Sequence, residues 1–211
     1  LFYIKITHIR GQYQKMRLPD FLGIGAEKCA TTWLFRCLRT HPEIYLPGIK
    51  EVRFFDREYE RGIEWYAKFF SKGSEAKCVG EISPQYLHNP ICAQRIAKAI
   101  PKVKLIVSLR NPIDRAYDHY WMDVRGWKAS GKNPPTFSEA IKIKPEYLTK
   151  GLYYEQLMPY FNLFPRDHIL VLFQEDISKS PKDVCKKLYT FLGVDEKFIP
   201  DSLFTKVNTA S

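Results

Sequence analysis

Short apolar runs alternate with helix-spaced stretches along this chain, and that alternation constrains the fold more than any other feature. Residues 20–25 (DFLGIG) form an apolar run closed by glycine, and residues 31–40 follow with helical spacing. Residues 77–82 (KCVGEI) and 103–109 (VKLIVSL) read as strands, the second apolar enough to be buried on both faces. Residues 91–100, 112–127 and 152–164 carry helical spacing. A further buried strand is expected over 168–173 (HILVLF), then a helix over 182–192 that Gly193 stops. Strands that alternate with helices build a parallel sheet covered on both faces, the α/β class. The expected architecture is a single domain with a central parallel sheet flanked by helices. Residues 20–211 make up that domain, and 1–19 form an N-terminal extension or edge strand.

Composition narrows the partners. The chain carries 33 Lys and Arg against 23 Asp and Glu, a formal +10. That excess suits an anion: nucleic acid, an acidic membrane surface, a phosphorylated cofactor or a sulfated polymer. No run approaches the roughly 18 apolar residues of a membrane span. Residues 1–17 alternate apolar with basic side chains and lack the apolar block of a signal peptide. Cys29, Cys37, Cys78, Cys92 and Cys185 are scattered, with no CxxC pair, so neither a disulfide framework nor a zinc site is expected. A reducing, cytoplasmic setting is the expectation; the alternative is the Golgi lumen, for a chain held by a membrane anchor.

Ligands of parallel sheets bind beyond the C-terminal strand ends. The first such loop reads Gly23-Ile-Gly25-Ala-Glu-Lys28-Cys29-Ala30-Thr31-Thr32 and enters a helix directly. A glycine-bearing turn that feeds a helix N-terminus offers free N–H groups and a positive dipole end to an anion. Lys28 adds a cation, and Thr31 and Thr32 add hydroxyls. The nucleotide loop GxxxxGK[ST] is not matched, and no acidic strand end stands ready for magnesium. An ordinary strand–turn–helix with threonine caps competes with the anion site when this segment is read alone.

The second loop follows residues 105–109. Arg110 stands at the strand end, and Asn111-Pro112 opens a helix. A guanidinium there suits bidentate contact with a phosphate. Arg115, Asp118 and His119 follow on the helix, where Arg115 and His119 read as a solvated face.

Together these segments resemble the sulfotransferases that use 3′-phosphoadenosine 5′-phosphosulfate (PAPS). KCATTWL resembles the family's 5′-phosphosulfate loop, and LRNPIDRAYDHY its 3′-phosphate motif. KEVRFFD over 50–56, GIEWY over 62–66, GEISPQY over 80–86 and FPRDHILVLFQEDI over 164–177 resemble the heparan-sulfate-type branch and its bacterial relatives. The likeness spans residues 20–209 in the family's order. It implies a P-loop-nucleotide-hydrolase-like sulfotransferase fold, PAPS as donor, 3′-phosphoadenosine 5′-phosphate (PAP) as product, and no metal. Lys28 would stabilise charge on the departing phosphate oxygen, and Cys29, Ala30, Thr31, Thr32 and Trp33 would help hold the 5′-phosphate. Arg110 would bind the 3′-phosphate. Glu51 matches the glutamate that serves as base; His88 and His119 are rivals for that role. Glu81 would hold Lys28 or Arg110 in place, and Tyr153 and Tyr154 lie near donor or acceptor, or in the core. The acceptor would be a small molecule, lipid or glycan with a hydroxyl or, second, an amine, and no nucleic acid is involved.

Departures from the pattern matter as much. Asp118 stands where the family usually has a serine that donates to the 3′-phosphate; a carboxylate cannot donate and repels phosphate. It must turn away, pair with a cation, or weaken the donor. Ile82 replaces a lysine common in the heparan-type branch, which counts against a polyanionic acceptor. The chain stops at residues 208–211, where the family continues, so further contacts are expected outside this sequence. Two rival functions remain at this level: a phosphate-loop kinase of ATP type, and a non-enzymatic basic module that binds polyanions.

Overall fold

The computed structural model describes residues 3–9 and 12–204, with side chains from Met16 onward; residues 208–211 lie outside the described residues. β1 (Tyr3–Ile9) and β2 (Gln12–Arg17) pair antiparallel with each other, as a sheet separate from the main one. Then come β3 (Phe21–Gly25), α1 (Thr31–Arg39), β4 (Ile44–Tyr45), α2 (Ile63–Ala67), β5 (Cys78–Ile82), α3 (Pro90–Ala99) and β6 (Lys104–Leu109). α4 (Pro112–Ala129), α5 (Phe137–Ile143), α6 (Glu146–Thr149), α7 (Tyr153–Leu163), β7 (Ile169–Phe173), α8 (Gln174–Lys179) and α9 (Pro181–Leu192) complete the order.

The main sheet has the order β4-β5-β3-β6-β7, and every pairing in it is parallel. Successive side chains of a strand point to opposite faces, and both faces here are covered. Leu22, Ile24, Val79, Leu105 and Val107 pack with Ala93 and Ile96 of α3 and Leu157 and Tyr160 of α7. Phe21, Ile82, Ile106, Leu170 and Leu172 pack with Leu34 and Leu38 of α1 and Leu188 of α9. Double coverage explains why these strands read as unbroken apolar runs. Each expected strand and helix is present within a residue or two of its expected ends. Gly193 ends α9 in the left-handed conformation, φ 75°.

From β3 the chain moves to β4 and β5 on one side, then returns past β3 to β6 and β7 on the other. A crevice at the C-terminal strand ends accompanies such a reversal. α4, α5 and α6 form a separate apolar cluster of Ala116, Tyr120, Val124, Ala140 and Tyr147. It fixes the long helix α4, one face of which borders that crevice. Among the described residues no helix is long and apolar enough to cross a membrane.

Candidate active site

A cleft of about 400 Å³ opens at the strand ends, a size in the range of small-molecule sites. Its wall comes from every loop the topology places there: Glu27, Lys28 and Ala30–Thr32 after β3, Pro84 and Gln85 after β5, Arg110 after β6 and Gln174 after β7. Lys50 and Glu51 enter from the long β4–α2 connection, and Asp118, Met122 and Arg125 from α4.

The β3–α1 loop is shaped to expose backbone N–H groups. Lys28 and Ala30 both take left-handed φ values, 69° and 58°, although neither is glycine. Non-glycine residues seldom adopt that conformation, and it is held where the surroundings enforce it. Here Ala26 N–H donates to Ser108 O at 2.8 Å, and Cys29 Sγ lies 3.5 Å from Tyr153 Oη. Lys150 clamps Glu27 by an ion pair. Gly25 permits the approach of the Leu87 segment, since a Cβ there would meet Leu87 Cβ at 2.6 Å. Ala30 caps α1 with no side-chain bond, and the first turn of α1 holds no acidic residue. The N–H groups of Thr31, Thr32 and Trp33 are therefore left for an external acceptor.

Lys28 makes no ion pair among the described residues; its Nζ rests 2.7 Å from Met122 Sδ. Burial, and next the charge of Arg125, lower its pKa. Arg110 pairs with Asp118 across two turns of α4. Of the alternatives open for Asp118, the structure shows the pairing with a cation, the Arg110 guanidinium. Asn111 caps α4, accepting from Ile113 N–H at 2.9 Å, and Pro112 begins it. Lys50 Nζ reaches Glu51 Oε1 at 3.2 Å. Each carboxylate of the cleft is thus matched with a cation. Lys28 and Arg125 are left without an ion pair among the described residues. Unpaired cations beside free N–H groups form an anion site.

Glu51 is held in a strained loop. Glu51 and Arg53 have φ values of 73° and 60°. Arg53 N–H donates to Ser83 Oγ at 3.1 Å, and Gln85 Nε2 donates to Glu51 Oε2 at 2.8 Å. Arg53 also pairs with Asp56. Beneath lies Glu81, 1% exposed, which accepts from Tyr66 and Ser83 at 2.8 Å and Tyr86 at 2.7 Å. This corrects the expectation that Glu81 holds Lys28 or Arg110: it points into the core, where three hydroxyls satisfy it. Burial raises its pKa even so.

Other expected residues fall outside the cleft. Cys29 is fully buried, and Trp33 is 4% exposed with its indole N–H donating to Leu203 O at 3.1 Å, so both offer backbone only. His88 does not line the cleft. His119, expected on a solvated face, is buried against Tyr147, and burial followed by the charges of Lys144 and Lys150 pushes its pKa down to about 4. Arg115, expected on the same face, is fully buried and donates to Tyr147 O. Tyr153 lies beside the β3–α1 loop through Cys29, whereas Tyr154 is exposed. Ile82 packs against Gly23, away from the cleft. Sequence reasoning missed Gln85, Met122, Arg125 and Gln174. The i, i+4, i+7 spacing of Asp118, Met122 and Arg125 was the available signal for one helix face.

Comparison with known proteins is consistent with this geometry. A model of the sulfotransferase domain matches residues 18–209. A solved sulfotransferase from Alicyclobacillus acidocaldarius is 30% identical, with a TM-score of 0.79, over 91% of this chain and 87% of that one. Human heparan sulfate glucosamine 3-O-sulfotransferase 6 is 30% identical over 90% of this chain. The membrane-associated sulfotransferase kil1 of Dictyostelium discoideum is 27% identical over 84% of it. The chain spans 56% of the length of each of these two relatives.

Proposed function

The chain belongs to the sulfotransferase domain family, and on that premise we propose that it transfers a sulfuryl group from PAPS to an acceptor hydroxyl or, second, an amine. The observation that carries the proposal is the pair of unpaired cations, Lys28 and Arg125, beside the free N–H groups of the β3–α1 loop. These residues fit an anionic nucleotide. Lys28, Thr31, Thr32 and the N–H groups of the first α1 turn would hold its 5′-phosphate end. Arg110 would hold the 3′-phosphate once Asp118 releases it. The donor supplies a sulfuryl group on a good leaving phosphate.

In the transfer, the acceptor oxygen forms a bond to sulfur as the bond from sulfur to the 5′-phosphate oxygen breaks, and PAP leaves. Lys28 stabilises the charge that appears on that phosphate oxygen. Glu51 takes the acceptor proton. Glu51 is preferred to His88 because Glu51 lines the cleft and His88 does not. The proposed acceptor is a small molecule, lipid or glycan; the heparan sulfate named in one relative supports the last. Five free buried cysteines suit a reducing, cytoplasmic setting, with the Golgi lumen as the alternative for an anchored protein.

Titration calorimetry and turnover test this reading. PAP is expected to bind without magnesium, and ATP with magnesium is expected not to compete. Lys28→Ala should lower kcat by roughly 100- to 1000-fold while retention on heparin stays the same. Magnesium-dependent competition by ATP would instead support a kinase. Loss of heparin retention without loss of turnover would support a polyanion-binding module.

A further inference from the structure

We propose that Gln85 selects the acceptor: its amide oxygen takes a hydrogen bond from a second O–H or N–H adjacent to the group being sulfated. This rests on the sulfuryl-transfer reading and adds a substrate class to it, acceptors with vicinal donors such as 1,2-diols.

Gln85 lies on the turn after β5, is 9% exposed, and lines the cleft beside Glu51. Its Nε2 donates to Glu51 Oε2 at 2.8 Å. A carboxylate oxygen only accepts, so the amide cannot be turned over, and its orientation follows from this one bond. The other end of the amide, Oε1, is buried, and no donor among the described residues reaches it. A buried polar atom without a partner is rare and calls for an explanation. Gln174 also has a free Oε1 in the cleft wall, but it is only half-buried and no bond fixes its nitrogen, so its amide is free to turn.

Proton counting sets the chemistry. An acceptor hydroxyl has one proton, and Glu51 removes it during attack, so nothing on that oxygen is left for Gln85. A bond to Gln85 Oε1 needs a second donor on the acceptor. The base and the amide are bonded to each other, so that donor must sit close to the reacting oxygen. A neighbouring hydroxyl on the same carbon–carbon bond meets the requirement. The remaining polar side chains of the cleft do not compete for it. Lys28, Lys50, Arg110 and Arg125 only donate, and Glu27 and Asp118 are matched with cations. Thr31 and Thr32 stand at the first turn of α1, where the donor's phosphate end is proposed to bind.

The test measures sulfuryl transfer from PAPS to trans-1,2-cyclohexanediol and to cyclohexanol. Per hydroxyl, the wild-type kcat/KM is expected to favour the diol roughly fivefold, the size of one hydrogen bond. Gln85→Met keeps the side-chain length but loses both the oxygen and the Nε2 bond to Glu51; the second loss acts on both alcohols alike and cancels in their ratio. It should bring that ratio close to one, chiefly through a higher KM for the diol, with the Kd for PAP within twofold of wild type. Gln85→Asn retains a retracted amide and should give an intermediate ratio, which keeps the test open if the Met variant fails to fold. A diol preference that survives in either variant, a wild type without preference, or transfer to neither alcohol overturns the proposal. Full turnover by Glu51→Gln would overturn the base assignment and, with it, the proton count on which the role of Gln85 rests, whereas PAP binding would still report on the donor site.

Discussion

Replacing Asp118 by serine should strengthen donor binding, and the structure sets the size of the effect. Asp118 and Arg110 pair with side chains 20% and 19% exposed, so solvent still screens them. A 3′-phosphate at Arg110 would bring roughly two negative charges to about 5 Å from the Asp118 carboxylate. Coulomb's law gives about 2 kcal/mol of repulsion at the dielectric of water and about 7 kcal/mol at an effective value of 20. Asp118 can escape part of this by swinging into solvent, which forfeits an ion pair worth at most about 1 kcal/mol. The lower figure therefore governs. Asp118→Ser should tighten PAP binding by about 2 kcal/mol, roughly 30-fold in Kd. Calorimetry at fixed ionic strength, with 5′-AMP as the control, isolates the contribution of the 3′-phosphate. AMP lacks that group and should bind the variant and the wild type within threefold of each other. A PAP Kd that stays within threefold of wild type, or equal tightening of AMP, would refute the placement of the 3′-phosphate at this pair.

Two further outcomes follow from buried charges. In the Glu27–Lys150 pair, burial alone would raise the Glu27 pKa, but the hydrogen bond and charge of Lys150 outweigh it and hold the group below 4.5. The stability from this pair is therefore present above about pH 4.5 and lost as pH falls through the depressed value. Lys150→Met should lower Tm at pH 7 by about 2–4 °C, with the difference closing by pH 3; an equal difference at both pH values would count against it. His119 drops from an ordinary 6.5 to about 4, chiefly through burial, so the folded state resists a proton that the unfolded chain accepts. Stability should fall by up to about 3 kcal/mol as pH drops from 6.5 to 4. In urea unfolding, His119→Phe should flatten that slope while sulfuryl transfer persists, and an unchanged slope would contradict this.

The parallel sheet was legible because its strands are buried on both faces and read as unbroken apolar runs. β4 was not, since two residues carry no period. The order of strands was hidden too, because β3 pairs with β5 and β6, which lie far away in the chain. The place of Lys28, Thr31, Thr32 and Arg110 in the cleft wall could be read from their positions after strand ends. The left-handed backbone at Lys28 and Ala30 could not, as neither residue is the glycine that normally signals it. Glu81 was placed wrongly because its partners, Tyr66, Ser83 and Tyr86, meet it only through tertiary packing. His119 and Arg115 carry polar side chains at positions that Tyr147 of α6 covers. A helix read in isolation shows no sign of that cover.

The cleft also has a consequence for how the protein comes into being. Its wall runs from Glu27 to Gln174 in sequence, and β3 takes both its neighbours from distant crossovers. Contacts this far apart form slowly, since long loops must close before they are rewarded. During synthesis the β3–α1 loop emerges early, yet Arg110 and then Gln174 must follow before the cleft can enclose a ligand. Ligand-binding capacity should therefore appear in one late step of folding, and binding of the proposed nucleotide would then report complete assembly.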